Sequence, residues 1–138
     1  MNGNITLMSA HKSMFKNFKD FKGRCRRKEY WLATAAYSIV SFVLVTLMYL
    51  CLAFYYDSYE TIWAILTAVP AIIALVYSIA VIVPAIAMTV RRLHDTGKSA
   101  WFLLLGCIPY IGSIILFVFM VLDSKPGTNQ YGPNPKSM

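Results

Sequence analysis

Three long stretches without a charged residue limit what this chain can fold into. Residues 31–56, 61–90 and 100–122 contain no Asp, Glu, Lys or Arg, so all of the charges lie between or beyond them. About 20 apolar residues at 1.5 Å each cross a bilayer core of about 30 Å, and each stretch is that long. A surface helix of a soluble protein would carry a polar face, which these stretches lack. The sequence therefore predicts a polytopic membrane protein.

The predicted fold class is all-α. We expect three transmembrane helices at about residues 31–55, 64–90 and 100–122, in a membrane domain that covers residues 31–122. A cytoplasmic leader of residues 1–30 precedes this domain, and a turn-rich tail of residues 123–138 follows it. The chain has only 138 residues, of which 58% are apolar. This length leaves no room for a separate soluble domain.

The third stretch allows two interpretations. Gly106, Pro109 and Gly112 divide it into halves, and neither half is long enough to span a bilayer alone. It forms either one kinked span, with the tail outside, or a re-entrant hairpin, with the tail on the cytoplasmic side. We expect the kinked span, although the distribution of charge is compatible with both.

The basic residues are unevenly distributed along the chain. Eight of the 13 precede Trp31, three follow the second stretch and two lie in the tail. Because basic loops stay in the cytoplasm, this distribution predicts a cytoplasmic N-terminus. The first stretch is too long for the apolar region of a cleaved signal peptide. Membrane orientation thus accounts for the excess of positive charge, and we expect no binding of nucleic acid.

A shorter helix is predicted in the leader, at residues 11–22. Met14, Phe15, Phe18 and Phe21 fall on one face, with lysines mostly on the other. This pattern is typical of an amphipathic helix that lies in the headgroup plane. The alternative is a helix packed on the protein's own cytoplasmic surface. We favour the interfacial helix, because so small a chain offers little cytoplasmic surface.

Two polar blocks border the predicted spans on the cytoplasmic side. Residues 23–31 read Gly-Arg-Cys-Arg-Arg-Lys-Glu-Tyr-Trp, and residues 91–101 read Arg-Arg-Leu-His-Asp-Thr-Gly-Lys-Ser-Ala-Trp. A third motif, Asn-Gln-Tyr-Gly-Pro-Asn-Pro, occupies residues 129–135. In this order and spacing the motifs resemble the bacterial domain-of-unknown-function family 805, the YhaH-like inner-membrane proteins. The resemblance covers about residues 14–135. It implies the fold and a multi-pass location in the bacterial cytoplasmic (inner) membrane, but no activity.

His94 and Asp95 form the one adjacent pair that suggests catalysis. A metal phosphohydrolase would need further ligands, and His11 in the leader is the only other histidine. Cys25, Cys51 and Cys107 have neither metal-binding nor redox spacing, and we expect no disulfide. The sequence therefore predicts no catalytic, cofactor-binding or metal-binding residues, no cofactor and no enzyme activity.

The arginines of the two polar blocks are the residues for which we expect a role. At the membrane boundary they can bind lipid phosphates, form an internal ion-pair network, or dock a protein partner. An unpaired acid is costly there, which predicts that Glu29 or Asp95 pairs with an arginine of the other block. The candidate interaction residues of the cytoplasmic face are Arg24, Arg26, Arg27, Glu29, Trp31, Arg91, Arg92, His94, Asp95, Ser99 and Trp101.

The middles of the predicted spans contain no ionisable residue of the kind that marks ion or proton pathways. This favours a non-enzymatic structural or interaction module with a basic cytoplasmic face. Its expected partners are the bilayer with its anionic headgroups, and a membrane protein or a second copy of the chain. The alternative is a component of an oligomeric small transporter or channel, since three spans are too few to enclose a pathway. A third hypothesis is an enzyme that acts on lipid headgroups at His94.

Overall fold

The fold was analysed in a computed structural model, which describes residues 5–58 and 61–136. The described chain forms α1 (Leu7–Lys16), α2 (Arg27–Ser58), α3 (Thr61–Asp95), a 3-10 helix (Ala100–Cys107) and α4 (Ile111–Val121). Within these ranges there is no β-strand, only an isolated bridge between Asn129 and Gly132. The predicted all-α class is therefore confirmed. The described residues leave out the first four residues of the leader, residues 59–60 between the first two predicted spans, and the last two residues of the tail.

α2 and α3 form an antiparallel pair that is the longest part of the molecule. Of the described helices, these two are long and apolar enough to cross a membrane. At 1.5 Å per residue they measure about 48 and 52 Å, well beyond a bilayer core of about 30 Å. At one end the rings of Phe54 and Trp63 stack with centroids 5.0 Å apart. At the other end the N–H of Cys25 donates to the carbonyl of Arg91 at 3.1 Å.

The buried core lies at this second end of the pair. Ala33 and Ala36 of α2 and Ala87 and Met88 of α3 are buried there. The small side chains let the two helix backbones approach closely. Toward the other end both helices expose most of their apolar side chains, and Phe42 is 71% exposed. We call the buried end, which carries residues 23–31 and 91–99, the polar end.

α1 packs across α2 and α3 at the polar end. It begins at a capping box, in which Thr6 and Ser9 satisfy each other's backbone N–H groups. Ala10 and Met14 are buried against the helix pair. Of the two interpretations of the leader, this packing matches the helix on the protein's own surface.

The limits of α1 differ from the predicted helix at residues 11–22. The helix starts earlier and ends at Lys16. The chain turns at Asp20 instead of continuing as a helix. The carboxylate of Asp20 accepts hydrogen bonds from the backbone N–H groups of Lys22 and Gly23 and holds this turn. Phe18 and Phe21, expected on the apolar face, lie after the helix and are exposed.

The third stretch folds back on itself. The 3-10 helix and α4 pack against each other, with the rings of Phe102 and Phe119 at 5.6 Å. Each is about 16 Å long, so neither could cross a bilayer. The tail after α4 binds Arg24 and Asp95 at the polar end. The expectation of one kinked span with the tail on the opposite side is therefore not confirmed, and the path of the chain is that of the hairpin alternative.

A close backbone approach makes this hairpin possible. Tyr110 adopts a positive φ of 62° between the two helices. Gly112 then lies so near the 3-10 helix that a Cβ atom would overlap the carbonyl of Leu105. Glycine is the residue that permits such an approach.

Candidate functional site

Asp95, the last residue of α3, is the centre of a buried ion network. Its side chain is completely buried. One carboxylate oxygen accepts from Nε of Arg24 at 3.0 Å, and the other accepts from Nη1 of Arg92. The hydroxyl of Ser124 donates to the second oxygen at 2.6 Å. The predicted pair between the two polar blocks is thus confirmed for Asp95 and Arg24.

Arg24 also connects this network to the tail. Its Nη1 donates to the carbonyls of Gly127 at 2.9 Å and Gly132 at 3.2 Å. Its Nη2 donates to the carbonyl of Lys125 at 2.7 Å. A guanidinium has five N–H donors in a fixed plane, so Arg24 can bind Asp95 through Nε and carbonyls of the tail through Nη1 and Nη2. One buried side chain therefore fixes the path of the tail.

Arg92 connects the same network to α4. Its Nε donates to the carbonyl of Met120 at 3.3 Å, and its Nη2 donates to the carbonyl of Leu122. Burial lowers the pKa of the Arg92 guanidinium, while the charge of Asp95 acts in the opposite direction. The carbonyl end of a helix carries partial negative charge, which favours a cation at this position. The second arginine is thus compensated by carbonyls rather than by another acid.

His94 lies beneath the tail. Its ring stacks on that of Tyr131, with centroids 3.6 Å apart and planes within 4°. The carbonyl of His94 accepts from the side-chain amide of Asn129 at 2.9 Å. Nδ1 of His94 is buried and has no hydrogen-bond partner among the described residues. Burial lowers the pKa of His94, and backbone groups of Gly23 and Lys22 act against this shift.

The other candidates of the first block lie apart from the network. Glu29 accepts from the hydroxyl of Ser13 at 2.6 Å and has no ion-pair partner in the described part of the chain. Glu29 and Arg26 line an open cavity of about 530 Å³ between α1, the start of α2 and the tail. Arg27 donates to the carbonyl of Val121 at 3.3 Å.

The remaining candidates serve the helices next to the network. Arg91 is buried, and its Nε donates to the carbonyl of Ala87 at 3.4 Å. The side chain of Ser99 caps the 3-10 helix. The ring of Trp31 meets that of Phe117 at 5.8 Å. Trp101 is 76% exposed.

The residues of the tail that complete the network were not predicted as site residues. These are Ser124, Lys125, Gly127, Asn129, Tyr131 and Gly132. The motif at residues 129–135 was a signal for some of them. Most of the tail's contribution comes from backbone carbonyls, which have no signature in a sequence.

The cysteines and acids of the described chain form no other cluster. Cys25, Cys51 and Cys107 are free thiols. Burial raises the pKa of the Cys25 thiol above its usual range, and the charge of Glu29 adds to this effect. Residues 5–58 and 61–136 contain no group of three or more His, Cys, Asp or Glu residues that could hold a metal ion.

The chain is similar to other proteins over most of its length. Residues 18–133 match the protein family described as "Protein of unknown function (DUF805)". The chain belongs to this family. Inner membrane protein YhaH of Escherichia coli (strain K12) is 39% identical over 129 residues, which cover 94% of this chain and 98% of YhaH. Inner membrane protein YhaI of the same strain is 34% identical over 129 residues, which cover 94% of this chain and 97% of YhaI. No solved structure matches the chain.

Proposed function

We propose that the chain is a non-enzymatic structural or interaction module of the bacterial inner membrane. In this proposal α2 and α3 cross the membrane, and the polar end faces the cytoplasm with both termini. The hairpin of the 3-10 helix and α4 enters the bilayer from that side and returns. The concentration of arginines and lysines at the polar end supports this orientation. The names of YhaH and YhaI support the membrane location.

The ion network around Asp95 is the observation that carries a structural role. Arg24 and Arg92 direct their donors to Asp95 and to backbone carbonyls, so they hold segments of the chain together. Both carboxylate oxygens of Asp95 have donors, which leaves Asp95 poorly placed to act as a base with His94. The exposed Arg27 and Lys28 remain available for anionic headgroups or for a protein partner.

Cysteine labelling in spheroplasts tests the orientation. Single cysteines replace Lys12, Asp57 or Thr128 in a chain whose native cysteines are alanine. An impermeant maleimide should label position 57 in intact spheroplasts, and positions 12 and 128 only after permeabilisation. Labelling of position 128 in intact spheroplasts would overturn a cytoplasmic tail.

Reconstitution tests the non-enzymatic, non-transporting role. Proteoliposomes with the full chain should retain entrapped ions and ion-sensitive dyes as long as empty liposomes do. The Asp95→Asn variant is measured beside the parent chain, because it disturbs the ion network without changing α2 or the middle of α3. Flux above background in the parent chain would favour the oligomeric transporter or channel. Hydrolysis of lipid headgroups that is lost in His94→Ala would favour the enzyme.

A further inference from the structure

The two ends of the molecule differ in how many helices they contain. Toward the end where the rings of Phe54 and Trp63 stack, α2 and α3 expose most of their apolar side chains. At the polar end, three more elements pack around the same pair: α1, the 3-10 helix and α4. A helix is about 10–12 Å across, so the 3-10 helix and α4 each add roughly 80–110 Å² of cross-section. The molecule is therefore much wider at the polar end.

Two contacts show how far the hairpin extends along α2. Arg27 donates to the carbonyl of Val121 at 3.3 Å, and one turn farther the rings of Trp31 and Phe117 meet at 5.8 Å. α4 thus runs antiparallel along the first turns of α2. Its 11 residues rise about 16 Å from this base, close to half of a bilayer core of about 30 Å. The hairpin reaches through one leaflet and no farther.

The outer surface of the hairpin is suited to acyl chains. Tyr110, Ile111 and Ile114 near its tip are 85%, 66% and 63% exposed. Charges occur only at its base, where Arg27 binds the end of α4 and Lys98 lies over the rings of Phe102 and Phe119 at 5.7 and 5.2 Å. An apolar tip above a cationic base matches a segment that enters one leaflet from its headgroup side.

We propose that the chain is a wedge whose lipid partner is a convexly curved leaflet. The leaflet at the polar end must accommodate the 3-10 helix and α4 in addition to α2 and α3, whereas the opposite leaflet accommodates only α2 and α3. A molecule of this shape relieves packing stress in a curved membrane whose convex, expanded leaflet is the one that holds the polar end. The inference rests on the proposed membrane crossing by α2 and α3, but it does not depend on which side is cytoplasmic.

Reconstitution into vesicles of two sizes tests this wedge. The full chain with a single reporter cysteine at Thr128 is incorporated into small sonicated and large extruded vesicles of one lipid composition. We expect a roughly doubled protein-to-lipid ratio in small vesicles. We also expect most tails to face outward there, measured with an impermeant maleimide, and a weaker bias in large vesicles. Equal ratios and equal orientations in both sizes would overturn the proposal.

A matched pair of variants assigns the effect to the hairpin. Ile111→Lys with Ile114→Lys changes two exposed positions, so the melting temperature in detergent should stay close to that of the parent chain. This variant should lose the preference for small vesicles, whereas Ile111→Leu with Ile114→Leu should keep it. An unchanged preference in the lysine variant would overturn the role of the hairpin. Failure of the crossing itself would appear separately, as labelling of Asp57→Cys and Thr128→Cys from the same side.

Discussion

Asp95 lies between two buried arginines, and the three side chains depend on one another. Arg92 and Asp95 expose none of their side chains, and Arg24 exposes 2%. Removing each ion from water costs several kcal/mol, which mutual attraction and further hydrogen bonds offset only while the set is complete. The mixed charges of the two blocks were enough to predict the pair. Its complete burial, which raises the cost of breaking it, depends on the tail and could not be predicted.

Asp95→Asn is expected to destabilise the chain more than Arg24→Gln. Loss of Asp95 leaves two buried guanidinium groups without a counter-charge, at a cost of about 3–5 kcal/mol. Loss of Arg24 leaves the neutral pair of Arg92 and Asp95. The free energy of unfolding in detergent measures both changes. The double variant should lose less than the sum of the single variants, and strict additivity would mean that the two side chains are not coupled.

An exposed ion pair in the same molecule provides the control. Lys136 and Asp123 are 46% and 58% exposed, and the hydrogen bond from Lys136 lowers the pKa of Asp123. Asp123→Asn should not measurably change the unfolding free energy, because water and salt screen such pairs. Glu29→Gln should also be mild, because the amide oxygen can still accept from Ser13. From the sequence, Glu29 and Asp95 were equal candidates for the pair between the two blocks, but only Asp95 lies where the blocks meet.

Acidification is expected to loosen the tail through His94. Burial lowers the pKa of His94, so the folded state favours the neutral ring under Tyr131. Stability should be complete above the ordinary pKa of about 6.5 and should decline as the pH falls through the lower folded-state value. Thermal unfolding between about pH 7.5 and pH 5.5 measures the decline. His94→Gln should flatten this dependence, and an equally steep decline in the variant would exclude His94 as its source.

At the scale of secondary structure, the end of α3 is built to receive the tail. The N–H of Lys98 donates to the carbonyl of Leu93 at 2.9 Å, and that of Gly97 donates to His94 at 3.0 Å. This is the Schellman pattern, which places Gly97 in the left-handed region at φ 77°. A Cβ atom on Gly97 would lie 3.0 Å from Cδ of Lys125. The same glycine therefore ends the helix and leaves space for the tail.

Gly112→Ala is expected to open the hairpin. Its new Cβ atom would overlap the carbonyl of Leu105, a backbone atom that cannot rotate away. Such overpacking costs about 1–3 kcal/mol or more, and the melting temperature in detergent should fall accordingly. Gly106→Ala is the matched control, because its Cβ would meet the flexible side chain of Leu116 at 3.2 Å. Equal effects of the two substitutions would contradict this account of the turn.

The sequence predicted the long helices better than the hairpin. Residues 31–56 and 61–90 are uncharged throughout and end at charges, so length alone indicated α2 and α3. Residues 100–122 have the same composition, and an apolar run does not reveal whether the chain returns at Pro109. The decisive contacts involve Gly112 with a backbone carbonyl and the tail with Arg24. Neither contact produces a periodic pattern that a sequence could display.

At the scale of the whole molecule, three separate motifs meet at the polar end. Arg24 comes from the first, Asp95 from the second, and the carbonyl of Gly132 from the third. The tail is thus a structural part of the polar end, although its composition indicated only a turn-rich coil. Residues that are far apart in the sequence thus complete one network.

Removal of the tail is expected to destabilise the packing of the helices at the polar end. Truncation after Asp123 deprives Arg24 of its three tail carbonyls and Asp95 of the Ser124 hydroxyl. Hydrogen bonds to charged groups contribute about 1.5–3 kcal/mol each, so the unfolding free energy should fall by at least about 3 kcal/mol. Truncation after Asn134, which keeps all four partners, is the control. In an Arg24→Gln background, truncation after Asp123 should lower the unfolding free energy distinctly less, because the guanidinium that binds the tail is gone. An equal cost in both backgrounds would mean that the tail stabilises the fold by some route other than Arg24.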